Sequence, residues 1–231
     1  MAKKKRRTQP RHLPVRVAPR EGWGLALEVG GVTQSVTVPA GEEPQVGNVE
    51  NGDGPQPGPG GGYWGLMLPR ICPERALLLG LGGGTVAGLL ARRCPEARIT
   101  GIEHDAEVIV VARESFGLDA LRHLEVIEAD AFAWVEAAAS TQTGVYDLIC
   151  LDLFEAGRLV AGALATPFLR QLGTLLSADG TLSVNLMVTA RTSDQVRRLR
   201  RVFVVERELR LRGNLVVHAR LPRAHEEIVA Q

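Results

Sequence analysis

No apolar run in the 231 residues approaches the ~18 needed to cross a membrane. The basic start is not followed by the apolar segment of a secretory signal, so the chain reads as soluble and cytoplasmic, without membrane contact. Cysteine is scarce: Cys72, Cys94 and Cys150 show no metal-ligand spacing. An odd, scattered set of three fits a reducing compartment rather than a disulfide framework, and Cys150 falls inside an apolar strand. Acids are missing from the first 20 residues, which hold eight lysines and arginines. The formal net charge of +1 therefore joins a basic leader to a remainder with 19 basic and 26 acidic residues. That leader lacks interleaved aromatics for base stacking, so a solvated leader over residues 1–20 is favoured over a nucleic-acid contact.

What is present points to one sizeable α/β domain with a small extra subdomain, because 45% hydrophobic and 23% charged residues are ordinary for a globular chain of this length. The organising stretch runs from Arg75 to Glu103. Ala76-Leu77-Leu78-Leu79 breaks into Gly80-Leu81-Gly82-Gly83-Gly84 and continues apolar to Leu90. This pattern predicts a buried parallel strand, a tight turn and a helix. Without Cβ atoms the turn can approach a ligand closely, and the helix start offers its amides to the same place. A second strand, residues 98–102, ends in Glu103 about 20 residues past the glycines, where a carboxylate meets ribose hydroxyls.

Ahead of this stretch, residues 25–29 and 32–38 are β-rich runs around Gly30-Gly31 and predict a hairpin. Residues 41–62, 12 of them glycine or proline, predict a loop acting as a mobile cover or remaining disordered. The expected division is residues 1–20, 21–68 and 69–231. Beyond Glu103, Asp105 is positioned to cap a helix. Strands follow at 124–127, 146–151 and 181–186, the first ending at Asp130 and the second at Asp152. Thr166-Pro167 marks a helix start with Thr166 as cap, a basic helix spans about 193–202, and two last strands cover 204–209 and 215–220. This alternation gives a mainly parallel, seven-stranded sheet with helices on both faces and an antiparallel end. Ligands in such sheets bind at the carboxyl ends of the strands, so Glu103, Asp130 and Asp152 should converge on one crevice.

The hairpin, the glycine turn, Glu103-x-Asp105, Asp130 and Asp152-Leu153-Phe154-Glu155 together resemble the spermidine synthase (polyamine aminopropyltransferase) group of the class I S-adenosylmethionine-dependent transferases. The resemblance covers about residues 22–220 and implies a Rossmann-like class I methyltransferase fold behind a small N-terminal β-hairpin. It implies a cofactor, S-adenosylmethionine or its decarboxylated form, backed by Gly80, Gly82 and Gly84, with Glu103 and Asp105 at the ribose, Asp130 and Ala131 at the adenine, and Gln34 facing it from the hairpin. Asp152 matches the acid that takes a proton from the attacking amine, Glu155 matches its second acid, and Tyr63 and Phe154 fall beside the acceptor. The implied reaction moves a methyl or aminopropyl group to a small acceptor, in a protein that the resemblance allows to be a homodimer. The alternative is a non-catalytic cofactor-binding or interaction protein. Several departures bear on the acceptor: the aspartate usual in the family's turn is replaced by Gly83, or by Thr85 in a shifted register, and Tyr63-Trp64-Gly65-Leu66-Met67 lacks the family's histidine and glutamate.

Overall fold

The computed structural model describes residues 13–20, 24–37 and 62–223. The leader up to residue 12, and all of the glycine- and proline-rich segment except Gly62, lie outside the described residues. A first sheet orders β1 (Val15–Arg20), β2 (Gly24–Val29) and β3 (Val32–Val36) as an antiparallel meander. The expected hairpin is therefore one strand larger, and the leader is six residues shorter than expected. Residues 15–20 pair backbone to backbone with β2, from Val15 opposite Val29 to Arg20 opposite Gly24, while their side chains stay largely at the surface. No apolar period is needed for that pairing, which is why the sequence pattern does not reveal it.

The main sheet contains β4 (Arg75–Leu79), β5 (Arg98–Glu103), β6 (Leu124–Glu128), β7 (Tyr146–Leu151), β10 (Leu176–Met187), β11 (Val204–Leu211) and β12 (Asn214–Arg220), in the spatial order β11-β12-β10-β7-β4-β5-β6. All neighbours are parallel except those of β12, which runs antiparallel to both β10 and β11. The strand order reverses at β4: β5 lies on one side of it and β7 on the other. A crevice opens at the carboxyl end of such a reversal.

The central run of β4 shows how the two faces are filled. Leu77 and Leu79 point into one apolar cluster with Ile149, Leu151 and Val184, beneath α4 (Ala131–Ala139), α5 (Thr166–Leu175) and α6 (Thr192–Leu199). Ala76 and Leu78 point into the other with Leu148 and Cys150, beneath α1 (Tyr63–Leu66), α2 (Thr85–Arg93) and α3 (Ala106–Phe116). The period of two in a strand buried on both faces makes it read as a continuous apolar run.

Details at the ends of elements differ from expectation. Helix α5 starts at Thr166 with Ala165 as its N-cap and no side-chain cap, so Thr166 is the first helical residue instead. Strand β10 follows α5 directly and is twice the expected length, and α6 ends at Leu199. A small hairpin of β8 (Phe154–Glu155) and β9 (Arg158–Leu159) follows β7 and was not anticipated.

The cysteines require a correction. Cys72 and Cys94 form a disulfide, with their Cα atoms 5.5 Å apart, and only Cys150 remains a thiol among the described residues. A strand that runs up and a helix that runs back bring Cys72, three residues before β4, beside Cys94, the C-cap of α2. Twenty-two positions of sequence separation conceal that proximity, and the argument for a reducing compartment loses its basis. No helix among the described residues is long and apolar enough to cross a membrane.

Candidate active site

The glycine turn is shaped by its neighbours before any ligand is considered. Gly80 has φ +86°, and a Cβ there would lie 2.3 Å from the carbonyl oxygen of Asp152. The turn is thus wedged against the end of β7, and only glycine allows both the angle and the approach. Its amides are already engaged: Gly80 N and Leu81 N donate to Ile102 O, Gly82 N to Glu103 Oε2, Gly83 N to Ser35 Oγ and Gly84 N to Leu81 O. The small sheet is clamped onto the turn by Thr85, whose Oγ1 accepts from Val36 N and donates to Val36 O, each at 2.8 Å. Thr85 and Gly83, at the position of the family's aspartate, therefore serve the junction between the two sheets.

A cavity of about 600 Å³ opens at the carboxyl ends of β4, β5, β6 and β7. The three strand-end acids, Glu103, Asp130 and Asp152, all line it, together with Gly80, Gly82, Asp105, Ala131, Gln34, Phe154 and Glu155. Gly84 and Tyr63 are the two expected residues that do not. Gly84 is the N-cap of α2, behind the turn, and Tyr63 reaches Asp152 from α1. Glu107 and Glu128 bring the lining carboxylates to seven, while neither lysine nor arginine lines the cavity among the described residues.

Glu103 is buried and held from several sides. Its Oε1 accepts from the amides of His104 at 2.9 Å and Asp105 at 3.1 Å, its Oε2 accepts from Gly82 N at 3.0 Å, and the His104 ring lies 3.0 Å from Oε1. Burial alone would raise its pKa, but the hydrogen bonds from the His104 ring and from the Gly82 and Asp105 amides outweigh it and hold the carboxyl below its ordinary value. The same contact raises the pKa of His104. Asp105 and Asp130 each double as helix caps, accepting from Glu107 N and Ala133 N at 2.9 Å. In each, one oxygen serves as the cap.

Asp152 follows β7 on the opposite side of the turn. Its Oδ2 accepts from Tyr63 OH at 3.0 Å and its Oδ1 from Asn185 Nδ2 at 2.8 Å. Asn214 Nδ2 donates in turn to Asn185 Oδ1 at 2.9 Å, which fixes the Asn185 amide with its NH₂ toward the carboxylate. Burial raises the Asp152 carboxyl to about 6, against the lowering effect of the Asn185 and Tyr63 hydrogen bonds. Burial and the neighbouring Asp152 charge push the Tyr63 hydroxyl well above its ordinary value, so it stays a donor. Asn185 was missed from sequence. Its signal was a polar residue inside the apolar run Leu182-Ser183-Val184-Asn185-Leu186, where a buried amide needs a partner. Glu155, by contrast, is exposed on β8 at the cavity mouth.

The arrangement can receive a cation-bearing ligand. It also sets beside that ligand a partly buried carboxylate able to exchange a proton near neutral pH.

No family model matches the chain. In sequence it is 32% identical over 129 residues to the polyamine aminopropyltransferase of Vibrio vulnificus, a stretch covering 56% of this chain and 42% of that protein. It is 27% identical over 127 residues to the eEF1A lysine and N-terminal methyltransferase of Xenopus laevis, covering 52% of this chain and 18% of that protein. The chain thus matches less than half the length of either relative. Among solved structures, a spermidine synthase in complex with the transition state analogue AdoDATO superposes with a TM-score of 0.66 at 16% identity, covering 93% of this chain and 72% of that one. That likeness is one of fold.

Proposed function

We propose, starting from a spermidine synthase-like chain with the class I methyltransferase fold, that the protein is a transferase using S-adenosylmethionine or its decarboxylated form to alkylate an amine. The observation that carries this reading is the placement of Asp152. It is partly buried and gripped by Tyr63 and Asn185, and it lies in the same cavity as the glycine turn and Glu103. Seven carboxylates without a lysine or arginine around a cavity of this size suit an adenosyl sulfonium cation, and neutral or anionic ligands gain less there.

When bound, the cofactor supplies an electrophilic carbon attached to a positively charged sulfur. Glu103 Oε2, with one amide donor in place, would accept from the ribose hydroxyls. Asp130 and Ala131 would read the adenine, Gln34 and Asp105 would border the ligand, and Gly80 and Gly82 would let the sulfonium end come close to β4. Asp152 would take the proton from the incoming amine, which must be neutral to attack. Tyr63 and Asn185 would hold the carboxylate oriented for that transfer. Phe154 and Glu155 would border the acceptor.

Calorimetric titration with S-adenosylmethionine, its decarboxylated form and the demethylated product tests the reading. At least one should bind with micromolar affinity or better, and the preferred form assigns methyl or aminopropyl transfer. Binding of NAD with none of these three would overturn it.

A further inference from the structure

The charge of the molecule is divided between two regions. The cavity holds seven carboxylates and neither lysine nor arginine among its described lining residues, whereas residues 191–223, which include α6, β11 and β12, hold ten arginines, no lysine and three acids. Each of the three acids already has an arginine partner: Asp194 with Arg197, Glu208 with Arg200 and Glu206 with Arg220. Arg191, Arg198, Arg201, Arg210 and Arg212 are exposed and have no acidic partner among the described residues.

Three of these five stand at the cavity end of the sheet. Arg210 and Arg212 close β11 and enter its turn to β12, and Arg191 leads into α6. The turn and the loop after β10 are joined, because Val188 N donates to Gly213 O at 2.8 Å. Met187 and Val188, each 38% exposed, sit between them. The junction is tied to the reacting acid through Asn214, which donates to Asn185, the residue that donates to Asp152. Three strand spacings separate β11 from β7, roughly 14 Å. An extended peptide covers that in four or five residues, at about 3.3 Å each.

We infer that the acceptor amine is carried on an acidic polypeptide segment. Its carboxylates dock on the Arg191, Arg210 and Arg212 rim and its apolar side chains on Met187 and Val188, while the amine enters the acidic cavity toward Asp152. This inference rests on the amine-alkylating function proposed above. The electrostatics match a substrate with a cation at one point and anions around it. A free diamine is cationic at both ends and leaves the rim unused. Nucleic acid suits the arginines but brings no cation to the cavity. It also finds no exposed aromatic on this edge for base stacking, since Phe203, the one aromatic between residues 187 and 223, is buried. Arginine's planar fork favours bidentate pairing with carboxylates.

Fluorescence anisotropy tests the surface without requiring turnover. The probes are a fluorescein-labelled twelve-residue peptide with a central lysine flanked by glutamates and valines, the same peptide with glutamine for glutamate, and a single-stranded RNA oligonucleotide of equal net charge. The acidic peptide should bind at least tenfold more tightly than the glutamine peptide, and its affinity should fall as salt rises. The double variant Arg210→Glu/Arg212→Glu should lose most of that preference, with its melting temperature and calorimetric cofactor affinity unchanged. Equal binding of the two peptides, tighter binding of the RNA, or an unaffected double variant would each overturn the inference. Failure of cofactor binding alone would instead count against the transferase reading.

Discussion

Glu103, which ends β5, and Asp152, which follows β7, flank β4 and line one cavity, the first buried and the second partly buried, yet their pKa values move in opposite directions. Burial pulls on each of them, but Glu103 meets three backbone amides and an imidazole. Among the described residues, Asp152 meets a phenol and a carboxamide. Burial therefore loses at Glu103 and wins at Asp152, which rises to about 6. The supply of donors separates a carboxylate suited to permanent binding from one suited to proton transfer.

The sharpest way to break the comparison is Asp152→Asn, which preserves shape and removes basicity. Turnover should fall by about 10²–10⁴, while cofactor affinity from calorimetry changes by less than about threefold. A matched loss in both would erase the distinction between the two acids. The same substitution has a stability counterpart. Burial lifts the folded carboxyl from its ordinary 3.8 to about 6, so its contribution is fully present below the lower value and is lost as pH rises through the higher one. The loss amounts to up to about 3 kcal/mol. Thermal melts should show the Asp152→Asn variant gaining on the parent between pH 4 and pH 7, with the curves converging in acid; parallel curves would mean that the carboxyl is not raised.

Glu103→Gln acts on the other member of the pair. Cofactor affinity should weaken by about tenfold, because hydrogen bonds to a charged acceptor are worth ~1.5–3 kcal/mol each, and turnover at saturating cofactor should stay within a few-fold. Asn185→Leu should have the smallest effect. Removing a donor that favours the charged Asp152 raises its pKa further, so the acid limb of the pH–rate profile should move to higher pH by on the order of one unit. A shift to lower pH would mean that Asn185 does not face the carboxylate as a donor.

Features written within a few residues were legible. The β4 run, the Asp105 cap, and the placing of three acids at strand ends follow from local pattern and one topological rule. The grip on Asp152 was not legible, because its Asn185 partner is 33 positions away and a single asparagine in a strand does not announce what it faces. The Thr85 clamp on Val36, 49 positions apart, had no local signal either. In the glycine turn the residues were visible, but their reason was not. The sequence shows that a Cβ is absent, and only the structure shows that the carbonyl of Asp152 occupies that space.

Helix α1, which carries Tyr63 to Asp152, is only four residues long, too short to persist by its own hydrogen bonds. Its order is borrowed. His218 Nε2 reaches Leu66 O at 2.7 Å, Arg93 donates to the carbonyls of Pro69 and Arg70, and the Cys72–Cys94 bridge fixes the chain just beyond. In hydrogen-exchange terms, α1 and the end of α2 should open as a single cooperative unit. Reducing the Cys72–Cys94 disulfide should then speed exchange at Met67 and Leu68 before it affects the central strands. The tyrosine facing Asp152 would thus loosen by a subglobal opening that starts at the other end of β4, with the main sheet still closed.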